Sequence, residues 1–159
     1  MRFLRGERRG QTLVEFALIL PIFVVILVGI FDGGRLVFAN HTVNNAAREG
    51  GREATVNQTL VDIRARAAQH AVALDIAPGD IAVTYLPTVP GQDCSSAAIQ
   101  AESLQSVGCL AVVQVPYTYF AATPIIGALI GPIDLTGEVR FPVEFNCVDQ
   151  PGKDCPLGL

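Results

Sequence analysis

Apolar positions along the chain follow three regimes in turn. Phe16 to Phe31 is a run of 16 residues without a charged side chain. Counted from Gln11 the run has 21 residues, about 31 Å as a helix, which matches a bilayer core of about 30 Å. One carboxylate, Glu15, sits near its head. Pro21 lies inside it, where it removes a backbone bond and should bend the helix. After Arg35 the period is still helical: Leu36, Ala39, Val43, Ala46, Ala47, Gly50 and Ala54 form one stripe. Asn40, Asn44, Asn45, Arg48, Glu49, Arg52 and Glu53 fill the rest. A stripe of alanine and glycine admits close approach. It is expected to face the core, the alternative being a second subunit.

Thr59-Leu-Val-Asp62 resembles a capping box with aspartate in its last place. Leu60, Ile63, Ala67, Ala71 and Leu74 then share one face, and Pro78-Gly79 stops the helix, which is expected near residues 59–75. From there the period falls to two. Ile81–Leu86, Leu110–Phe120 and Ile133–Phe145 are the strand candidates; the third alternates Ile133, Leu135, Val139, Phe141, Val143 and Phe145 with Asp134, Thr136, Glu138, Arg140 and Glu144. Such alternation predicts an antiparallel sheet with one wet face. Pro116 and Pro142 each remove a ladder donor, so bulges or edges are expected there. The apolar connection Ala121–Gly131 is expected to cap the core, with a subunit contact as the other reading. The fold class that results is α+β: a long N-terminal helix, half in the membrane, a second helix, and a small antiparallel sheet of about three strands.

Charge adds an asymmetry to this picture. The net charge of the 159 residues is −4. Arg2, Arg5, Arg8 and Arg9 against Glu7 make the first ten residues +3, leaving seven of the 11 basic and 14 of the 15 acidic side chains, or −7, for the remainder. A body this acidic makes a poor partner for nucleic acid, where Lys and Arg supply most of the affinity. The arginine cluster before the apolar run instead places the N-terminus in the cytoplasm and the rest outside it.

Cys94, Cys109, Cys147 and Cys155 lie at spacings unlike zinc modules. Downstream of a membrane segment they read as two disulfides, against four reduced thiols as the alternative. Sequential pairing is the most local of three connectivities. His41 and His70 have no neighbouring Cys or paired acid that would complete a metal site, and no phosphate loop, HExxH or nucleophile elbow occurs. No enzyme activity, metal, cofactor or small-molecule substrate is expected. Asn40-His-Thr42 and Asn57-Gln-Thr59 match the short N-glycosylation pattern.

Three readings compete for the N-terminus. A secretory signal peptide could be cut after Ala39, but its apolar run exceeds the usual length of about 7–15 and rarely holds an acid. A plain signal anchor leaves Glu15 an accident near the headgroups. A prepilin-type leader, cut between Gly10 and Gln11, makes Glu15 the fifth residue of the mature chain. The basic leader, Gly10 and the string QTLVEFALILP resemble the type IV prepilin and pseudopilin signature. With Pro21, Asp32, Gly34, Arg35 and Asn45-Ala46-Ala47-Arg48-Glu49-Gly50, the chain resembles the TadE-like family of tight-adherence (Tad/Flp) pilus proteins over about its first 55 residues. Gly33 departs from that pattern, which usually has a bulky apolar or aromatic residue there.

That resemblance implies a pseudopilin-like subunit. Residues 1–10 would be the leader, 11–34 the transmembrane helix, 35–57 its extension and 58–159 an extracytoplasmic α+β domain. Prepilin peptidase would cut at Gly10/Gln11, and Glu15 would act as a docking charge. The implied partners are other pilins or pseudopilins, the pilus assembly machinery and the lipid bilayer, at the bacterial cytoplasmic membrane or in a surface pilus. The alternative is a secreted or single-pass anchored binding domain.

Overall fold

A computed structural model of the chain describes residues 7–95 and 108–144. Helix α1 runs from Glu7 to Val56 and contains Pro21. Helix α2, Leu60–Gln69, follows after three residues. A three-stranded antiparallel meander comprises β1 (Ala82–Leu86), β2 (Leu110–Tyr119) and β3 (Ile133–Pro142), with β2 in the centre. A short helix α3, Pro124–Ile130, occupies the connection between β2 and β3. The α+β class expected from the periodicity is the one observed.

The chain divides into two compact units. One holds α1 through Val37 together with Phe120–Pro132; the other holds Phe38–Tyr119 and the chain from Ile133. In the second unit the small-residue stripe faces inward: Ala39, Val43, Ala46, Ala47, Gly50, Gly51 and Ala54 are all buried. Val43, Ala46, Ala47 and Ala54 pack with Ile63 and Ala67 of α2 and with the inner face of the sheet in one core. Each large side chain in it, such as Val43, Ile63, Ile81 or Val113, contributes about 1.5–3 kcal/mol by leaving water.

Strand register explains how that inner face fills. Ala111 stands between Tyr85 and Phe141, so a small residue separates two large ones. Val113 stands between Val83 and Val139. On the outer face Gln114 lies opposite Glu138 and donates to it at 2.8 Å, while Arg140 donates to the same carboxylate at 2.9 Å. The Gln114 amide first, and then Arg140, hold the Glu138 carboxyl below its ordinary range. Thr118 likewise lies opposite Asp134 and donates to it at 2.8 Å.

The expected prolines resolve as edges. Both ladders keep an unbroken register, without a bulge. β1 reaches only Leu110–Gln114, so Pro116 lies where β2 is paired on one side alone. Pro142 is the last residue of the edge strand β3.

The corner between α1 and α2 differs from the expected capping box. Thr59 makes no side-chain capping bond. Asn57 does the work: its Nδ2 donates to Glu53 and Asp62, both at 3.1 Å, and its Oδ1 accepts the Thr59 N–H at 2.9 Å. Buried and engaged in this way, Asn57 is a structural residue and not a glycan acceptor. α2 also ends sooner than its apolar face suggested. A short 3₁₀ turn, Val72–Leu74, follows, and Asp75 closes it at φ 53°, a left-handed geometry that aspartate tolerates better than most residues.

Cys94 and Cys109 are joined by a disulfide that enters the core beside β2. A closed loop of this size stabilises the fold by about 3 kcal/mol in the chain-entropy account. Cys147 and Cys155 lie outside the described residues.

Tyr85 points inward from β1, and among the described residues its hydroxyl has no hydrogen-bond partner. Burial pushes its pKa up to about 12. An unmade bond of this kind costs about 1–3 kcal/mol, so Tyr85→Phe should raise stability at neutral pH by roughly 1 kcal/mol. Between its ordinary value near 10 and about 12, the unfolded chain gives up the phenolic proton and the folded one keeps it. Stability attached to this group is therefore whole below about pH 10 and lost towards pH 12. Urea unfolding of the detergent-solubilised chain at pH 7 and pH 11 checks both points; a Tyr85→Phe variant that is weaker at pH 7 would mean that the hydroxyl is satisfied.

Candidate functional site

α1 as far as Val37 is the element that carries the candidate residues. An 18-residue stretch of it is apolar enough, and the helix long enough, to cross a membrane. Leu13, Val14, Phe16, Leu18, Ile22, Phe23, Ile26 and Ile30 are all exposed, pointing in every direction around the axis. A helix apolar all round needs an apolar surrounding, lipid or other helices.

At the head of this stretch Gly10, Gln11, Val14, Glu15 and Leu18 lie along one face and line a shallow depression. They recur at the spacing that stacks side chains along a helix. Gly10 has open space where a Cβ would stand, so its backbone is accessible from that side. Glu15 is exposed on the same face, one turn beyond Gln11. The side chains of the arginines and of Glu7 in the leader lie outside the described residues.

A second carboxylate, Asp32, stands at the far end of the apolar stretch, and its situation is the opposite of Glu15's. It is only 4% exposed. It accepts the Ala122 N–H at 3.1 Å, the Thr123 N–H at 3.3 Å and the Thr123 hydroxyl at 2.6 Å. These donors lead into α3, whose first N–H groups have no partner inside the helix. Asp32 thus holds the β2–β3 connection against α1. Ile126 of α3 lies beside Gly29, one turn earlier on the same helix, where a Cβ would meet its Cδ1 at an ordinary contact distance of 3.9 Å. The sequence showed Asp32 only as one element of a motif. Its partner is 91 residues away, and the one local signal was Thr123-Pro124, a common way to begin a helix.

Comparison with known proteins bears on this same region. The family model described as TadE-like protein matches residues 10–52. The segment from Gly10 to Arg52 thus resembles this family. It takes in Gly10, Glu15 and Asp32, all of the membrane-length stretch, and most of the stripe buried in the second unit. The resemblance read from Gly10–Glu15, Pro21, Asp32, Gly34, Arg35 and Asn45–Gly50 is thereby shown. No curated protein and no solved structure gives a match.

Among the described residues no group of three or more His, Cys, Asp or Glu side chains comes together as a metal site. His41 and His70 are both exposed on or beside helices. The geometry offers an accessible glycine and an acid at the start of an apolar helix, and it offers a held acid at the end.

Proposed function

We propose that the protein is a minor pilin or pseudopilin of a tight-adherence (Flp-type) pilus. It is inserted in the cytoplasmic membrane with its N-terminus inside, cut by prepilin peptidase between Gly10 and Gln11, and then used in pilus assembly. The observation that carries this reading is the placing of Gly10, Gln11 and Glu15 on one exposed face at the head of a membrane-length helix, within a TadE-like segment. Cleavage creates an α-ammonium at Gln11. In an assembly this charge on one subunit pairs with Glu15 on its neighbour, in surroundings where the attraction far exceeds that in water. The Cys94–Cys109 disulfide supports an extracytoplasmic place for the second unit. Other pilins or pseudopilins and the assembly machinery are the partners this reading requires.

N-terminal sequencing, or intact mass, of the membrane-extracted protein tests it. A mature chain beginning at Gln11 is expected. A chain still beginning at Met1 would sink the proposal. A soluble product beginning at Asn40 would instead favour a secreted domain, although that cut would sever α1 beside Ala39, which is 2% exposed in the core.

A further inference from the structure

We propose that the β2–β3 connection, residues 120–132, lies in the bilayer interface beside the end of the anchor, so that the protein meets lipid at two places instead of one. The inference rests on the membrane-anchor reading of α1. Its first ground is chemical. From Phe120 to Ile133 no residue is charged, yet Leu129 is 83% exposed, Phe120 66% and Ile130 49%. None of the three belongs to the sheet's core cluster. An apolar face of this kind was expected to cap that core; the structure groups it with the anchor.

Its second ground is position. Asp32 holds the connection against α1 and Ile126 lies beside Gly29; Gly29 lies 18 residues beyond Gln11, or about 27 Å along the helix. That depth falls just inside a core of about 30 Å, so the attached segment sits where acyl chains give way to headgroups. The helix face around it is itself exposed and apolar, so lipid is the surrounding already required there.

The backbone meets the demand that such a place makes. Non-helical chain is tolerated at membrane depth only when its polar groups find partners. Asp32 takes the Ala122 and Thr123 N–H groups, Gly127 donates to the Thr123 carbonyl at 2.9 Å, and Gly131 donates to the Gly127 carbonyl at 3.0 Å. An acid near the end of a membrane helix, costly if unpaired, is here what seats the second contact.

The chain contains no tryptophan, so a single introduced one reports alone. Leu129→Trp and, separately, Phe23→Trp are placed in the full chain and reconstituted in phosphatidylcholine vesicles with acyl chains brominated near the headgroup, brominated near the chain ends, or left plain. Leu129→Trp, blue-shifted relative to the unfolded chain, is expected to lose most of its emission with bromine near the headgroup, and Phe23→Trp with bromine near the chain ends. Quenching of Phe23→Trp without quenching of Leu129→Trp overturns the inference and leaves the anchor standing. Emission from Leu129→Trp that is blue-shifted but indifferent to bromine, and that changes with the protein-to-lipid ratio, also overturns it, because another chain then covers the face. Failure of Phe23→Trp to be quenched removes the anchor reading itself.

Discussion

Glu15→Ala is expected to leave the protein in the membrane and to remove it from the pilus machinery. Insertion should improve, if it changes at all, because an acid within a transmembrane helix costs up to about 2.5–3.5 kcal/mol on insertion scales. Assembly should fail for the converse reason. On the proposed reading, Gln11's new ammonium and Glu15 lie one turn apart on the same face of the free subunit, about 6 Å along the axis, and partly offset each other. Docking exchanges this partner for one on a neighbour. Without the carboxylate, the neighbour's ammonium would be left unpaired in apolar surroundings. Removing one member of a buried charge pair costs about 2–5 kcal/mol, which corresponds to roughly a thirty-fold loss of incorporation or more. Membrane fractionation and cross-linking to assembled subunits, run side by side, read the two effects. If Glu15→Ala is incorporated as well as the parent, the charge-pair account is wrong; if it fails to reach the membrane, the acid has some other task.

Much of the fold could be read from the sequence because its elements obey local periods. The stripe from Ala39 to Ala54 repeats at helical spacing and is buried as a stripe; the alternation in β2 and β3 yields one wet face bearing Gln114, Glu138, Thr118 and Asp134. What periodicity cannot supply is the destination of an apolar run. Residues 121–131 looked like a core cap because the sheet was the nearest surface to offer. The structure groups them with α1 instead, and the feature that ties them there is not periodic. It is a carboxylate 91 residues upstream that accepts three bonds. The α1–α2 corner failed for a related reason. Thr59 and Asp62 had capping-box spacing, but Asn57 competed for the same donors and acceptors from within the turn. Gly10 and Glu15 stand out in the sequence as a glycine and an acid at the head of an apolar helix, and their roles belong to the proposed reading.

The largest effect on stability is expected from Gly137→Ala. Gly137 lies on the inward face of β3, opposite Val115, in a slot where the alternation would otherwise place a bulky side chain. α1 passes so close there that a Cβ would collide with the Val43 carbonyl and come within 2.9 Å of the Asn44 nitrogen. By strand preference alone alanine should be better than glycine, so the clash decides the sign. Gly51 on α1 is also tight, at 2.5 Å from Phe141 Cδ2 and 2.7 Å from Val139 Cγ1, but there the neighbours are side chains that can turn aside. At Gly137 the neighbour is helix backbone, which moves only if α1 moves. Overpacking typically costs about 1–3 kcal/mol; Gly137→Ala should lie at or above the top of that range, and Gly51→Ala within it. Gly79→Ala, with open space around it and no left-handed backbone, serves as the neutral control. Urea midpoints of the three detergent-solubilised variants give the order directly. A Gly137→Ala midpoint equal to that of Gly79→Ala would show that helix and sheet are further apart than described, and with that the stripe of alanine and glycine would lose its physical reason.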